Sequence, residues 1–465
     1  MVNLRANFAI IITIIYYRNF PQNPSGILFF LKIPIYTVSM KGRLAAIFAV
    51  FLVLFSLMSI WASDGHSVYG NAADYLNNIY GIDNNAGLTA FPVLNIPMGG
   101  QAEGMAGAFS AISSDISFLE FNPAGSSMLE KTELAFFHNN WIADTKIESA
   151  AYATRFGNLG VAAGLKWLYL PFTEYNYYAE RVSSGYYSEG VAILNTSYNF
   201  LSGYYFSGIS FGVNLKGAFR IMPDYTDNSD IVIKGSGLSQ SAVMAMADVG
   251  FLTRFNMFKT YQAREKNASA ALVIRNLGPP SMDEPLPTVA SAGFSYKPIR
   301  PVTLALDFFV PLNLIDIELS ELPYGAFGLS VNVTDFLAMR TGLMVKPGSS
   351  RLTVGSAVNL ENISLDVNYT MDFLTQLQPL NRVSLAVRLN LGDRGRKLIS
   401  DKVDELYLLG LDAYSRGNLE DARLCWEEAL RIDSRFDPAK ESLAMLEDRE
   451  GLTERVENLY RLDVF

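Results

Sequence analysis

Between residues 132 and 391 the sequence consists of segments of about ten residues in which apolar and polar side chains alternate. In the last segment, for example, Leu385 and Val387 alternate with Ser384 and Arg388. Because successive side chains of a strand point to opposite faces, this alternation predicts β-strands with one apolar and one polar face. Fourteen such segments can be marked, at 133–142, 147–156, 159–169, 191–201, 205–220, 241–255, 268–276, 288–297, 302–310, 323–334, 337–346, 351–360, 363–371 and 381–391.

An even number of strands this long, together with 30 Phe and 24 Tyr residues, predicts an all-β transmembrane barrel of about 14 antiparallel strands over residues 132–392. Short links such as 157–158 alternate with long links such as 170–190. Outer-membrane barrels have short periplasmic turns and long external loops. The long link at 256–267 and the short link at 347–350 depart from this rule. A soluble β-sandwich would alternate as well, but it would not need strands this long.

Residues 63–131 precede the barrel and are predicted to form a lead-in and a helical hatch that plugs it. Small residues recur at close spacing there, up to Asn122 and the proline that follows it. Small residues allow close packing, and each glycine weakens a free-standing helix by about 1 kcal/mol. Asp115 is predicted to cap a short helix beginning at Ile116, and Asn122 to end that helix and cap the next turn. The residues assigned to this hatch motif are Gly104, Gly107, Asp115, Asn122, Pro123, Ala124 and Gly125.

The amino-terminal residues contain a targeting signal. Lys41 and Arg43 precede an apolar run over 44–60, and the small residue Ala62 follows it. This order predicts a secretory signal peptide that begins at Met40, which we expect to be the true start of the chain. The alternative is that the run is a retained membrane anchor. No other run approaches the roughly 20 apolar residues that a spanning helix needs.

Residues 393–465 are predicted to form a separate helical tail on the periplasmic side. The apolar spacing changes there from strand-like to helical, with a turn at 416–418 and Pro438 at the start of a third helix. The pattern resembles the tetratricopeptide repeat, although its tyrosine falls one place late, at Tyr414. One repeat does not stand alone, so we expect the tail to dock on the barrel rim, pair with another copy or hold a partner. The signature residues are Leu406, Leu409, Gly410, Ala413, Ala422, Trp426 and Ala429.

Charge and composition exclude several functions. The formal net charge of −9 argues against a nucleic-acid partner, which would require a basic face. Cys425 is the single cysteine, so there is no disulfide framework and no cysteine-based metal site. We find no catalytic motif and predict neither an enzyme nor a cofactor. His138 is interpreted as a strand-end residue, and the aspartates of the 221–240 link as a solvated acidic loop rather than a Ca²⁺ site.

With a signal peptide, a small-residue knot ending in Asn122-Pro123-Ala124 and about 14 strands, the sequence resembles the long-chain fatty-acid transporter family of outer-membrane proteins. In that family an amino-terminal hatch with an Asn-Pro-Ala motif plugs a 14-stranded barrel. The upstream part is also similar to the barrel subunit V of the Bacteroidetes type IX secretion system. The combination of barrel and tail is similar to uncharacterised spirochaete proteins, notably treponemal ones.

The resemblance implies that the chain lies in the bacterial outer membrane, with its amino- and carboxyl-terminal parts in the periplasm. It implies uptake of long-chain fatty acids or other hydrophobic small molecules, which pass a lumenal pocket beside the hatch and leave sideways through the wall. Each methylene kept out of water contributes about 0.8 kcal/mol along such a route. Ligand-binding residues cannot be assigned from sequence, and Gly160, Gly164, Gly208 and Gly212 are noted only as possible strand kinks. The alternative function is an outer-membrane anchor or secretion accessory whose tail binds a protein partner.

Overall fold

The structure is a computed structural model that describes residues 81, 83–141, 144–226, 232–233, 241–261, 265–372 and 381–448. The predicted signal peptide, the start of the lead-in and the end of the tail lie outside the described residues, as do two aspartates of the acidic link. No helix among the described residues is both long enough and apolar enough to cross a membrane.

Fourteen strands pair antiparallel, each with its neighbour along the chain, and the first pairs with the last to close a barrel. A short hairpin of β6 (Tyr225–Thr226) and β7 (Val232–Ile233) stands apart from it. The barrel strands are β1 (Glu133–Asn140), β2 (Lys146–Phe156), β3 (Leu159–Tyr175), β4 (Arg181–Phe200), β5 (Ile209–Ile221), β8 (Ala242–Phe255), β9 (Ala268–Leu277), β10 (Thr288–Tyr296), β11 (Val302–Leu312), β12 (Tyr324–Asn332), β13 (Leu337–Val345), β14 (Arg351–Asn359), β15 (Ile363–Asp372) and β16 (Arg382–Asn390).

The predicted fold class is therefore confirmed, and each of the 14 predicted segments overlaps one barrel strand. The largest difference lies in the link at 170–190, which was predicted as a loop. Here β3 and β4 continue to pair, with Leu170 opposite Tyr187 and Phe172 opposite Gly185. Aromatic residues suit strands as well as loops, so composition alone did not mark where the hairpin ends.

The two faces of the barrel differ as the alternation predicted. On β16, Ser384 and Arg388 point into the lumen and are buried, whereas Leu385 and Val387 are exposed on the outer surface. The same outward exposure recurs around the wall, for example at Trp167 on β3. An apolar outer band on a closed barrel without edges is the arrangement of an outer-membrane-type β-barrel.

The lumen is filled by the chain that precedes β1. Between residues 91 and 129 it forms four short helical turns whose side chains are nearly all buried against the inner wall. We call residues 98–129 of this stretch the plug segment. The turns are a 3-10 helix over Pro92–Asn95, α1 (Gly100–Gly104), α2 (Phe118–Phe121) and a 3-10 helix over Pro123–Met128.

The chain threads the barrel from one end to the other. We call the end where β1 begins and β16 ends the tail end, and the opposite end the loop end. Before the plug segment, the chain contacts connections at the loop end: the Ala90 N–H donates to the Pro285 carbonyl (2.9 Å) and the Leu322 N–H to Asp83 (2.8 Å). After the plug segment, the Thr132 N–H donates to the Gly392 carbonyl (2.8 Å) at the tail end. Residues 83–90 and the tail therefore lie at opposite ends of the described barrel, and the shared periplasmic side of the two terminal parts stays a prediction.

The tail forms α3 (Arg396–Ser415), α4 (Leu419–Ile432) and a third helix described over 437–448, as predicted. Trp426 is buried at the α3–α4 contact, where its Nε1 donates to the Tyr407 carbonyl (3.2 Å). A side chain at Gly410 would overlap the Trp426 ring, so glycine is required there. Ala422 and Ala429 are buried beside Trp426, whereas Leu409 is 49% exposed and lies outside this core. The tetratricopeptide character stays a prediction.

Of the three arrangements predicted for the tail, the structure has the first, docking on the barrel rim. The Tyr204 ring of the β4–β5 connection packs edge-on against Phe436, with ring centroids 5.1 Å apart. Arg435 donates to Asn158 (2.8 Å) and Ser202 (2.9 Å). Tyr205 donates to Glu441 (2.9 Å), and this hydrogen bond to a carboxylate raises the pKa of the Tyr205 hydroxyl. Pairing with another copy or binding a partner stays a prediction.

Candidate functional site

The Asn-Pro-Ala turn seats the plug segment at the centre of the lumen. Asn122 has extended backbone (φ −152°) and ends α2, as predicted. Its Oδ1 accepts from the Ala124 N–H (3.0 Å) and so caps the following 3-10 helix. Its Nδ2 donates to the Ser110 carbonyl (2.7 Å) and the Phe251 carbonyl on β8 (3.2 Å). One buried side chain therefore joins two turns of the plug segment to the wall.

The rest of the hatch motif is distributed along the plug segment. Gly104 ends α1 against the Asn368 and Arg340 side chains, and Gly107 has a left-handed φ of +83°. Gly125 lies against the Phe118 ring, too close for any side chain. Asp115 accepts from the Ser117 N–H (2.8 Å), but the helix begins at Phe118, two residues later than predicted.

Polar side chains of the wall satisfy the backbone of the plug segment. Short helices leave most of their N–H and C=O groups without intrahelical partners, and buried groups of this kind need them. Asn195 donates to the Pro123 carbonyl (2.9 Å), and Asn214 donates to the Leu119 carbonyl (2.9 Å). On the other side of the lumen, the Asp307 carboxylate accepts from the Ser110 N–H (2.7 Å). The inward polar residues of the strands thus serve as hydrogen-bond partners for the plug segment.

Glycines on the wall let the plug segment approach at backbone distance. A Cβ on Gly160, Gly212 or Gly342 would lie closer than 3.0 Å to plug backbone atoms. These glycines have strand conformations, so close approach rather than an unusual φ explains the absence of a side chain. Gly160 and Gly212 had been noted in the sequence only as possible kinks. Their role as contact points required knowledge of which strand face meets the plug.

A buried ion cluster fixes the plug segment to the strands on either side of the barrel closure. Arg388 of β16 lies 3.2 Å from Asp115 of the plug and 3.0 Å from Asp366 of β15. Asp366 also pairs with Arg340 of β13. Glu133 of β1 accepts from the Ile116 N–H (2.9 Å). The plug therefore contributes one carboxylate and one backbone N–H to a buried charged network whose other members lie on β1, β13, β15 and β16.

We predict that Arg388→Met lowers the free energy of unfolding of the barrel by about 3–5 kcal/mol, because it leaves Asp115 and Asp366 buried with a deficit of positive charge. Urea denaturation of the refolded protein, followed by tryptophan fluorescence, measures this change. The control is the double variant Arg388→Met/Asp115→Asn, in which the loss of the plug carboxylate relieves part of the penalty. The ion cluster would be contradicted if the stability losses of Arg388→Met and Asp115→Asn, measured separately, added up to the loss of the double variant.

A small pocket lies above the plug segment, toward the loop end. Its volume is about 70 Å³. Ligand pockets for drug-sized molecules usually exceed roughly 300 Å³, so a long-chain ligand does not fit beside the plug in this conformation. Apolar side chains of the plug segment, of the residues just before it and of the wall form much of the lining. They are Leu94, Ile96, Phe121, Val289, Phe309, Tyr324 and Met344.

Three arginines reach the same pocket, and their environments differ. Arg382 pairs with Glu103 of the plug (3.1 Å), and Arg351 pairs with Asp372 (3.2 Å). Both of these arginines also lie over the Trp141 ring. Arg275 lies over the rings of Phe121 and Phe309, at 5.4 and 5.7 Å from their centroids, and has no carboxylate partner of this kind in the part of the chain that the structure describes.

Arg275 is the unusual cation of this pocket. Its Nη1 donates to the Glu120 carbonyl (3.3 Å), while its Nε is buried without a hydrogen-bond partner. No carboxylate among the described residues forms an ion pair with Arg275, and the Glu120 carboxylate is paired with Lys166 (2.5 Å). A guanidinium that lies next to two aromatic rings and has an unused donor is suited to an anionic group at the end of an apolar ligand.

The wall around the plug segment is continuous. Every neighbouring pair of barrel strands is hydrogen-bonded over the described residues, so the sideways exit implied by the resemblance has no open counterpart among them. One irregularity lies deep in the wall, where the β8–β9 register shifts between Ala247 and Val249. Within this bulge Asp248 accepts from the Asn276 N–H (2.7 Å) and pairs with Lys216 (2.7 Å).

The comparisons identify relatives of this chain. A family model described as "Uncharacterised protein family (UPF0164)" matches residues 81–394. Two curated relatives from Treponema pallidum (strain Nichols), both described as UPF0164 proteins, are similar to it. One is 28% identical over 365 residues, which cover 75% of this chain and 80% of the relative. The other is 24% identical over 391 residues, which cover 75% and 74%. The resemblance to treponemal proteins is confirmed, while the resemblance to fatty-acid transporters stays a prediction.

Similarity to solved structures is low. The TodX monoaromatic hydrocarbon channel, as its deltaS2 mutant, is 12% identical with a TM-score of 0.36, and the match covers 60% of this chain and 97% of that chain. CdiB from Acinetobacter baumannii is 11% identical with a TM-score of 0.34, and the match covers 56% and 59%. At these TM-scores the likeness carries no argument about ligands or mechanism.

Proposed function

The chain belongs to the UPF0164 family, and from the geometry of its lumen we propose that it takes up long-chain fatty acids or similar hydrophobic molecules across the outer membrane. In this proposal the loop end faces outward, the tail lies in the periplasm, and the plug segment moves to admit the ligand. The observation that carries the proposal is the pocket in which apolar side chains surround Arg275.

The pocket has the two parts that an acyl chain with an acidic head requires. Phe121 and Phe309 offer apolar surface next to the Arg275 guanidinium. A carboxylate that accepts from the unused Nε of Arg275 would form a charge-assisted hydrogen bond, which contributes about 1.5–3 kcal/mol. The acyl chain then gains about 0.8 kcal/mol for each methylene removed from water. The head group fixes the orientation and the chain supplies most of the affinity.

Passage requires the plug segment to move, because a pocket of about 70 Å³ does not accommodate a long acyl chain. The plug is attached to the wall by ion pairs and by hydrogen bonds to its backbone, rather than by covalent links or long helices. Each of these contacts can break and be replaced by a contact with ligand or water without breaking the others, so the plug segment can move stepwise. Ligand binding at Arg275 contacts the plug directly, since Arg275 donates to the Glu120 carbonyl and packs on Phe121.

We predict that Arg275→Gln weakens binding of oleate by about tenfold or more, the loss expected when one charge-assisted hydrogen bond is removed. Binding of oleyl alcohol, which has the same chain and no charge, should change little. Native mass spectrometry of the full chain in detergent measures both ligands at equal concentration.

The matched control for this experiment is Arg181→Gln, which removes an exposed arginine at the loop end outside the pocket. It should leave oleate binding unchanged. Equal affinity of the wild-type chain for oleate and oleyl alcohol would contradict the role of Arg275. Failure of both ligands to bind would contradict the pocket itself.

The alternative, an outer-membrane anchor whose tail binds a protein partner, has an observation in its favour. Leu398, Leu408 and Leu424 are 75%, 62% and 58% exposed on the tail helices. Apolar side chains in such positions are available to another protein surface. Recovery of a tail-dependent partner from crosslinked cells would support this alternative.

A further inference from the structure

A second cavity lies at the tail end, between the barrel rim and the docked tail. Its volume is about 260 Å³. The plug segment contributes Met128 at the cavity wall, so the cavity begins where the plug ends. The remaining lining comes from the ends of β2, β4 and β8, the β2–β3 and β4–β5 connections and the link before the third tail helix. It consists of Arg155, Asn158, Asn199, Ser202, Gly203, Tyr204, Ser207, Arg254, Asp433, Arg435 and Phe436.

The charges that line this cavity are unbalanced. Three arginines and one aspartate give a formal charge of 3 − 1 = +2. Arg155 and Arg254 form no ion pair within 4 Å with any described carboxylate, although Glu130 attracts both from a longer distance and Glu265 attracts Arg254. Arg435 lies 3.8 Å from Asp433. The guanidinium of Arg155 is close enough to the other two to be repelled by them. Like charges grouped in a partly buried space are unfavourable unless an anion joins them.

The arginines are held in place by neutral groups and keep donors available. Arg155 donates to the Gly157 carbonyl (2.6 Å), and Arg254 donates to the Ser113 hydroxyl of the plug (2.5 Å). Arg435 donates to amide and hydroxyl oxygens of the rim, as described above. A guanidinium has five N–H donors, so these contacts leave donors on each residue. The neighbouring amides and hydroxyls add further polar partners.

We propose that this cavity binds a phosphate group, supplied either by free phosphate or by the head group of a lipid. Clustered guanidiniums match the oxygens of phosphate in bidentate geometry, and phosphate carries enough negative charge to balance the arginines. The arginines come from two barrel strands and the tail, so the bound phosphate joins the tail to the barrel. The site is separate from the Arg275 pocket, which lies on the other side of the plug.

The test is isothermal titration calorimetry of the full chain in detergent, with inorganic phosphate in one arm and short-chain dihexanoyl phosphatidylglycerol in the other. Binding of inorganic phosphate indicates the free ion as the source, and binding of the lipid alone indicates a head group. In either case Arg435→Gln should weaken binding by about tenfold or more, as expected for a lost charge-assisted hydrogen bond.

Two further variants keep the result decisive. Arg431→Gln removes an exposed arginine of α4 outside the cavity and should leave binding unchanged. Arg254→Gln weakens binding from the barrel side, which separates loss of the ligand contact from undocking of the tail. The proposal is overturned when neither phosphate compound binds, or when both cavity variants bind as tightly as the wild-type chain.

Discussion

A chain that begins at Glu130, and so lacks the plug segment, is expected to form an open pore with a conductance at least about tenfold above that of the full chain. The plug packs against the inner wall around the lumen, and the described pockets beside it have volumes of only about 70 and 260 Å³. Truncation is the suitable change because the plug threads the barrel, so an internal deletion would pull the loop end toward the tail end. Planar-bilayer recording of the refolded truncated chain measures the effect.

Circular dichroism of the same sample shows whether the truncated barrel has folded. A folded truncated barrel that conducts no better than the full chain would contradict the sealing role of the plug segment. The inward polar and charged side chains make this outcome unexpected, because residues such as Asn195 and Arg388 would face water once the plug is gone.

Gly212→Val is expected to displace the plug segment while leaving all of its residues in the chain. Any Cβ at Gly212 overlaps the Pro123 carbonyl, which β5 backbone cannot avoid without moving the plug. Overpacking of this kind usually costs about 1–3 kcal/mol. We expect faster chymotrypsin cleavage within residues 98–129, measured by mass spectrometry of the fragments, together with a rise in conductance.

The same strand supplies the control. Gly217 of β5 faces outward, and a Cβ there meets no atom within 4 Å. The Gly217→Val variant should therefore be cleaved by chymotrypsin at the same rate as the wild-type chain and have the same conductance. If the Gly212 and Gly217 variants behave alike, close packing of plug and wall is not what holds the plug in place.

The sequence predicted the barrel well because its signal is local. Alternation with period two marks each strand within about ten residues, and the change to helical spacing after Gly392 marks the tail. The Asn122 turn was predicted for the same reason, since capping acts between neighbouring residues. The length of the β3–β4 hairpin was missed because Tyr-rich sequence is compatible with a strand and with a loop.

The functional site was less predictable because it depends on contacts between distant residues. Arg388 and Asp115 are 273 positions apart, and nothing local indicates that they meet. A signal was present nonetheless: Arg388 and Asp366 stand on the polar face of strongly alternating strands, which places charges in the lumen. The direction in which the chain threads the barrel has no local signal at all.

The most direct test of the proposed uptake is the entry of radiolabelled oleate into cells of a Gram-negative strain that lacks its own outer-membrane fatty-acid importer. Whole cells are preferred because their outer leaflet resists fatty acids, whereas simple lipid vesicles do not. We predict that the wild-type chain raises oleate uptake above that of cells with empty vector, and that Arg275→Gln reduces this gain. Oleate uptake equal to that of cells with empty vector, with the folded protein present in the outer membrane, would contradict the proposed uptake function.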